Sequence, residues 1–115
     1  MPDFSAAVAD RSAAGTAIVA RGELDMATAA ILGDLVAAER SPGASVVADL
    51  RGVTFCDSTG LWLLVACSAD ARRDGWSFRV QVGDGPVRRA IELAGIAHMI
   101  NLVDPPDPEP EPGGS

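Results

Sequence analysis

The chain has no lysine and no tyrosine, and its 115 residues include only one histidine and two cysteines. Without lysine there is no Gly-x-x-x-x-Gly-Lys loop to bind phosphate and no side-chain amine to form a Schiff base. The cysteines, Cys56 and Cys67, fit neither a metal site nor a Cys-x-x-Cys motif, and we interpret both as buried thiols. His98 has no cysteine or histidine beside it to complete a metal site. The sequence therefore predicts neither a cofactor nor a metal.

Positive charge and long apolar segments are also scarce. Nine basic residues, all arginine, stand against sixteen acidic ones, and the net charge of −7 argues against binding to nucleic acid. No apolar run reaches the roughly 18 residues needed to cross a bilayer, and the N-terminus lacks a basic segment followed by an apolar one. We therefore expect a cytoplasmic protein with no membrane partner.

What the sequence does contain is a regular alternation of strand and helix patterns. The predicted elements are strands at 4–9 and 16–24, a helix capped by Asp25 or Thr28 that runs to about Arg40, a strand at 46–50, a helix at 58–74, a strand at 77–82, a helix at 86–94 and a strand at 99–103. The first two strands are joined by a small polar segment and should pair antiparallel, whereas strands separated by helices should pair parallel. The sequence thus predicts an α/β fold with a mixed β-sheet of about five strands and about three main helices.

Composition divides the chain into two parts. Residues 1–104 are expected to form one domain, because a chain of about a hundred residues can bury one hydrophobic core. Residues 105–115 consist of proline, acidic residues, glycine and serine. Such a composition cannot build a core, and we expect a disordered acidic tail there.

The most informative motif is Asp57-Ser58-Thr59-Gly60, which lies between a predicted strand and an apolar helix. Asp, Ser and Thr are preferred N-cap residues, so the motif indicates the start of a helix. A hydroxyl at that position also lies at the positive end of the helix dipole, near backbone N–H groups without a partner in the helix. The position can therefore cap the helix, carry a phosphate, or do both.

Three classes of protein could use this position. A receiver domain would phosphorylate Asp57, but receivers also use a lysine that this chain lacks. A serine hydrolase would use Ser58 as its nucleophile, but the only imidazole is His98, and Cys56 stands where a Gly-x-Ser-x-Gly elbow needs glycine. The third class, which we favour, is a binding module switched by phosphorylation of Ser58.

Three segments resemble the STAS domain, and specifically the bacterial anti-sigma factor antagonists, also called anti-anti-sigma factors. They are Gly22-Glu23-Leu24-Asp25 with Thr28-Ala29, similar to the second-strand signature; Leu50 through Phe55-Cys56-Asp57-Ser58-Thr59-Gly60-Leu61, similar to the phosphorylation loop; and Val87-Arg88-Arg89 through Ile96, similar to the last helix and turn. The resemblance extends to about Asp104.

The resemblance implies a non-enzymatic, partner-switching regulator of transcription. In that family the unphosphorylated antagonist binds an anti-sigma factor with serine kinase activity and so releases a sigma factor. Phosphorylation, here at Ser58 with Thr59 as an alternative acceptor, switches binding off, and a serine phosphatase restores it. A monomer or weak dimer is expected. The alternative within the family is a STAS scaffold or a ligand-sensing subunit of a larger complex.

The resemblance also indicates where the partner would bind. The expected contact residues are Glu23, Asp25, Asp57, Ser58, Thr59, Gly60 and Trp62. Trp62 lies one helical turn after Ser58 and either packs under a neighbouring helix or faces the partner. Asp25 either caps the first long helix or lies near the partner surface. Asp57 either orients the loop or helps the kinase to position the Ser58 hydroxyl.

Overall fold

The structure is a computed structural model that describes residues 4–104. Its elements are β1 (Ser5–Ser12), β2 (Gly15–Leu24), α1 (Ala29–Glu39), β3 (Ser45–Cys56), α2 (Ser58–Asp74), β4 (Ser77–Gln81), α3 (Pro86–Ala94), a 3₁₀ turn (Ala97–Met99) and β5 (Leu102–Val103). The tail expected at 105–115 lies outside the described residues. Within residues 4–104, no helix combines the length and the apolar character that a membrane crossing requires.

The five strands form one sheet in which they follow one another in chain order. β1 pairs antiparallel with β2, and every later pair is parallel. The predicted mixed α/β fold is therefore confirmed. Because β2, β3, β4 and β5 run in the same direction, their carboxyl ends meet at one edge of the sheet, which we call the carboxyl edge.

The hydrophobic core lies between the helices and one face of the sheet. Ile18, Ala48 and Val80 are register partners across β2, β3 and β4, and all three are fully buried. The helices add equally buried side chains to the same cluster, including Leu32, Leu64 and Ile91. Each parallel crossover advances the sheet in the same direction, and right-handed crossovers then place all three helices on one face. We call the opposite side of the sheet the open face.

The first hairpin is longer than the sequence predicts. The strands continue through the polar segment after residue 9, so that Ser12 pairs with Gly15 and only two residues form the turn. Arg11 in this extension makes an ion pair of 2.8 Å with Glu39 at the end of α1, and the Thr16 hydroxyl donates to the same carboxylate. Polar residues can extend this strand because it lies at the edge of the sheet, where their side chains reach solvent.

The strand before the Ser58 motif is also much longer than the predicted 46–50. β3 continues to Cys56 because β2 provides backbone partners that far, including Glu23 for Phe55 and Leu24 for Cys56. Two register shifts in this pairing accommodate residues that break the apolar pattern. No connector remains between strand and helix, so β3 leads directly into Asp57.

The helix ends agree with the sequence better than the last strand does. α2 and α3 end at Gly75 and Gly95, whose φ angles of 77° and 72° are left-handed and favour glycine. The predicted strand at 99–103 is largely wrong, because residues 97–99 form a 3₁₀ turn and only Leu102 and Val103 pair with β4. Ile100 is buried just before this short strand, which explains the apolar pattern without a longer ladder.

Candidate functional site

The candidate site begins where β3 ends and α2 starts. The Asp57 carboxylate accepts a hydrogen bond of 3.1 Å from the Gly60 backbone N–H, so Asp57 is the N-cap of α2. Ser58 and Thr59 follow it in the first turn, and both are exposed. The predicted helix start is confirmed, and the exposed hydroxyls lie at the positive end of a helix of 17 residues.

Close packing against β2 fixes this turn in place. The Asp57 N–H donates to the Leu24 carbonyl at 3.1 Å. A Cβ atom at Gly60 would lie 2.9 Å from each of three atoms, namely Cys56 Sγ, Leu24 Cγ and the Leu24 carbonyl oxygen. A larger residue at Gly60 would push the turn away from β2, so the glycine brings the Ser58 turn close to the β2–α1 segment.

That neighbouring segment has its own cap. The Asp25 carboxylate accepts from the Ala27 and Thr28 backbone N–H groups at 3.0 and 3.1 Å. The Thr28 hydroxyl donates to the Glu23 carbonyl at 2.6 Å. Of the two predicted roles of Asp25, these contacts support capping of the turn that enters α1. A contact between Asp25 and a partner stays a prediction.

Negative charge gathers at this part of the carboxyl edge. Glu23 is the register partner of Phe55, two residues before Asp57, and Asp25 follows Glu23 by two residues. None of these three carboxylates forms an ion pair with an arginine of residues 4–104. The segments that meet at the Ser58 turn therefore carry three acidic side chains that form no ion pair within residues 4–104.

Exposed apolar side chains lie on the segments that meet at the Ser58 turn. Within the described residues, five large hydrophobic side chains are exposed, and four belong to the segments that meet here: Met26 (79%), Ile31 (46%), Phe55 (49%) and Trp62 (57%). Trp62 therefore does not pack under a neighbouring helix. Exposed aromatic residues are typical anchors of protein interfaces. We call this area the Ser58 surface and define it as Glu23, Asp25, Met26, Ile31, Phe55, Asp57, Ser58, Thr59 and Trp62.

Sequence reasoning singled out Trp62 but missed Met26 and Phe55. Both flank predicted site residues, since Met26 follows Asp25 and Phe55 lies two residues before Asp57. Apolar residues beside a strand end usually enter the core, and only their placement at the edge leaves these two exposed. In the sequence, only their closeness to the predicted site residues Asp25 and Asp57 indicated that they belong to the site.

The two cysteines have no activated sulfur. Burial raises the pKa of the Cys56 thiol to about 11, and the nearby Asp57 charge acts in the same direction. Burial also raises the pKa of Cys67 to about 11, with a smaller contribution from Asp70. Both groups are therefore neutral thiols near pH 7, although Cys56 is only partly buried.

The described residues do not bring His98 to Ser58. His98 lies in the 3₁₀ turn that precedes β5, at the amino end of that strand, whereas Ser58 follows the carboxyl end of β3. Because β3, β4 and β5 are parallel, these positions lie at opposite edges of the sheet. Residues 4–104 also contain no group of three or more acidic, histidine or cysteine residues suited to a metal ion.

Fold and site together define a small mixed α/β domain that presents a serine at the start of a helix beside exposed apolar side chains. A family model described as "Mlab, STAS domain" matches residues 7–104. The chain therefore belongs to the STAS family, as its three sequence segments indicated.

Solved structures contain a similar protein. The crystal structure of an anti-sigma factor antagonist from Mycobacterium paratuberculosis is 28% identical in sequence, with a TM-score of 0.73. The match covers 87% of this chain and 85% of that chain, so the likeness extends over nearly the whole domain. No curated protein shows a significant match to the sequence.

Proposed function

We propose that this STAS domain is an anti-sigma factor antagonist and that it binds its partner through the Ser58 surface. The observation that carries the proposal is the exposed serine at the start of α2, with the exposed Trp62 one turn further along the same helix. Similarity to the mycobacterial antagonist supports the general role. The partner would be an anti-sigma factor with serine kinase activity, and its capture would release a sigma factor.

Binding of the unphosphorylated form would rest on the apolar side chains. Burying an exposed aromatic side chain in a well-packed interface often contributes about 2 kcal/mol or more to the free energy of binding. The hydroxyls of Ser58 and Thr59 would remain near the centre of the contact, where a neutral group costs little to desolvate if it finds a hydrogen-bond partner.

Phosphorylation of Ser58 would turn this favourable contact into an unfavourable one. The kinase would transfer the γ-phosphoryl group of ATP to Ser58 Oγ, and ADP and the hydroxyl proton would leave. The modified side chain carries about −1.5 to −2 charges at neutral pH. It would stand beside Glu23, Asp25 and Asp57, which have no arginine partner among residues 4–104. Burying it against a surface shaped for a hydroxyl would therefore oppose binding.

The fold itself would tolerate the phosphate. Ser58 is exposed, and the start of α2 offers a favourable dipole and backbone N–H groups without helical partners. The switch would therefore change the surface and leave the domain folded. A serine phosphatase would remove the group and return the protein to its binding form.

A phosphorylation assay tests the acceptor directly. The protein is incubated with candidate anti-sigma kinases and ATP, and the modified residue is mapped by mass spectrometry. We expect phosphate on Ser58 and none on the Ser58→Ala variant. Phosphate on Thr59 in the wild-type chain would assign the switch to the alternative acceptor.

Binding of the same kinases to Ser58→Asp tests the switch. We expect affinity to fall at least tenfold, equivalent to about 1.4 kcal/mol. Ser58→Ala should bind as wild type does, since it adds no charge to the Ser58 surface. Circular dichroism of Ser58→Asp should retain the helix content of wild type, and loss of most of it would contradict a switch that acts at the surface.

A matched pair of variants tests the apolar anchor. Trp62→Ala should weaken binding roughly thirtyfold, equivalent to about 2 kcal/mol. Leu93→Ala is the control, because Leu93 is 83% exposed but lies on α3, away from the Ser58 surface. Equal binding by Trp62→Ala and wild type would remove Trp62 from the interface.

The family description that names Mlab favours a second candidate, a STAS scaffold or ligand-sensing subunit of a larger complex. Phosphate on neither Ser58 nor Thr59 with any candidate kinase would favour this function over the antagonist. A serine hydrolase has less support, since His98 lies at the opposite edge of the sheet from Ser58. Ester hydrolysis that disappears in Ser58→Ala would revive it.

A further inference from the structure

A row of four residues crosses the open face near the amino ends of β2, β3 and β4. Asp10 pairs with Ala17, Ala17 with Val47, and Val47 with Arg79, so the row runs from β1 to β4. Ala17 precedes the fully buried Ile18, and successive side chains of a strand point to opposite faces, so the row points away from the helices. We call Asp10, Ala17, Val47 and Arg79 the cross-strand row.

The row lines a shallow depression of about 160 Å³ on the open face, with an acidic residue and a basic residue among its walls. Its floor consists of small side chains, namely Ala17 and Val47 of the row and Gly15 and Ser45 beside them. A floor without long side chains allows another β-sheet to pack against it at the usual distance of about 10 Å.

Both charged ends of the row lack a partner of opposite charge. Asp10 is exposed on the outermost strand, and neither Asp10 nor Arg79 forms an ion pair within residues 4–104. The Arg79 guanidinium donates to the Ser45 hydroxyl at 3.4 Å, while its Nε has no acceptor in the described part of the chain. The two ends are three strands apart, about 14 Å between backbones, so each can pair with an outside group of opposite charge.

We propose that two copies of the chain pack their open faces together with their cross-strand rows superposed. A two-fold axis parallel to the strands, between β2 and β3, places β1 of one copy opposite β4 of the other and β2 opposite β3. Asp10 of each copy then faces Arg79 of the other, and Ala17 faces Val47. The row is therefore complementary to itself, as an isologous contact between identical chains requires.

Charge confines this contact to the amino half of the open face. Nearer the carboxyl edge, Arg21 is the register partner of Gly52, the residue after Arg51, so the same axis brings Arg21 close to Arg51 of the second copy. Like charges oppose contact there. The remaining contact is a few residues long and four strands wide, and it would bury far less than the roughly 1,200 Å² of a standard interface. We therefore expect a weak dimer with a dissociation constant of roughly 0.1 mM.

Such a dimer would leave both Ser58 surfaces accessible. Ser58 follows the carboxyl end of β3, and α2 lies on the side of the sheet opposite to the open face. The inference does not depend on the proposed antagonist function, and its failure would leave that proposal unchanged.

Sedimentation velocity of the full chain between about 10 μM and 1 mM tests the proposal. Asp10→Arg and Arg79→Asp should each raise the dissociation constant at least tenfold, because each change brings like charges together twice in the dimer. An equimolar mixture of the two variants should associate as wild type does, because every contact in the mixed dimer again joins opposite charges. Circular dichroism checks that both variants are folded, and Arg79→Gln should show a smaller loss of the same contact.

A matched control and a map of the contact complete the test. Arg72→Asp should associate as wild type does, because Arg72 is an exposed arginine on α2 without an ion pair in residues 4–104. NMR spectra over the same concentrations should show shifts of the Ala17, Ser45 and Val47 amides.

Three outcomes would overturn the proposal. A monomer at every concentration would leave the open face to another kind of occupant. A mixture of Asp10→Arg and Arg79→Asp that stayed monomeric while wild type associated would exclude the paired rows. Shifts confined to the Ser58 surface or to the outer edge of β1 would place the contact between copies elsewhere.

Discussion

Two of the helix starts at the carboxyl edge of the sheet, those of α2 and α3, differ in almost everything except position. α2 starts at Ser58 directly after β3, with Asp57 as a side-chain cap and no arginine paired to its acidic neighbours in residues 4–104. α3 starts at Pro86 after β4, has Gly85 as its N-cap without a side-chain hydrogen bond, and borders a cleft with Arg51 and Arg88.

The difference shows that a helix start alone does not define a site. Both helices have a positive end at the same edge, so the dipole cannot explain why one is a candidate switch. At α2 the exposed hydroxyl, the acidic surroundings and the apolar side chains provide the chemistry. At α3 the proline at the first helical position has no N–H, and the nearby charge comes from arginine side chains. Neighbouring residues therefore decide what each helix start can bind.

The largest predicted effect compares the glycines at the two starts. Gly60→Ala should destabilise the domain by about 2 kcal/mol, because overpacking against the backbone of Leu24 costs up to about 3 kcal/mol and better helix propensity returns at most about 1 kcal/mol. Gly85→Ala should change stability by less than about 0.5 kcal/mol, since its Cβ would meet no atom within 4 Å.

Urea unfolding of both variants measures this contrast. The ordering matters more than either value, because both substitutions make the same chemical change at neighbouring helix starts. Equal stabilities for Gly60→Ala and Gly85→Ala would show that the Ser58 turn is not held against β2 as the structure indicates.

The next prediction concerns the acidic residues before the two helices. Asp57→Ala should cost about 1 kcal/mol, the usual value for losing a side-chain N-cap. Asp57→Asn should recover most of that loss, because its amide oxygen can still accept from the Gly60 N–H. Asp84→Ala should stay within about 0.5 kcal/mol, since Asp84 is exposed and is not a side-chain cap of α3. Thermal unfolding of the three variants measures these differences. If Asp84→Ala were the most destabilised, the prediction that the Asp57 cap stabilises the fold would be wrong.

The two helix starts were also the part of the fold most readable from the sequence. Asp57, Pro86, Gly75 and Gly95 act locally, through capping, a fixed φ and left-handed termination, so their positions mark helix ends without any tertiary information. The directions of pairing, antiparallel for the first two strands and parallel for strands separated by helices, followed from the alternation of strands and helices. The motif at Ser58 likewise appears in the sequence with its cap.

Tertiary pairing determined what the sequence did not reveal. The extension of β3 to Cys56 depends on β2 as a partner, since the residues after Leu50 lack a regular apolar alternation. The same pairing places Glu23 beside Phe55 and so assembles the acidic and apolar parts of the Ser58 surface. Residue type suggested burial for Phe55, and only its position at the edge makes it half exposed. The cap and the hydroxyl at the start of α2 could be predicted from the sequence, but the side chains that other elements place near them could not.

The smallest predicted effect concerns the α3 side of the comparison, where Asp49 pairs with Arg51, an arginine that lines the cleft at the start of α3. The Arg51 guanidinium hydrogen-bonds to the Asp49 carboxylate and lowers the pKa of that group. A depressed folded-state pKa stabilises the fold above the unfolded pKa of about 3.9, and this contribution is lost as the pH falls through the folded value.

Asp49→Asn should therefore cost about 0.5 kcal/mol at pH 7, a modest figure because solvent screens the half-exposed Arg51 side chain. The difference from wild type should shrink below pH 4 and vanish once Asp49 is protonated in the folded protein. Urea unfolding between pH 7 and pH 3 measures it, with Asp84→Asn as the control, since Asp84 makes no ion pair within residues 4–104. A deficit in Asp49→Asn that stayed constant down to pH 3 would mean that packing, and not the charge pair with Arg51, accounts for it.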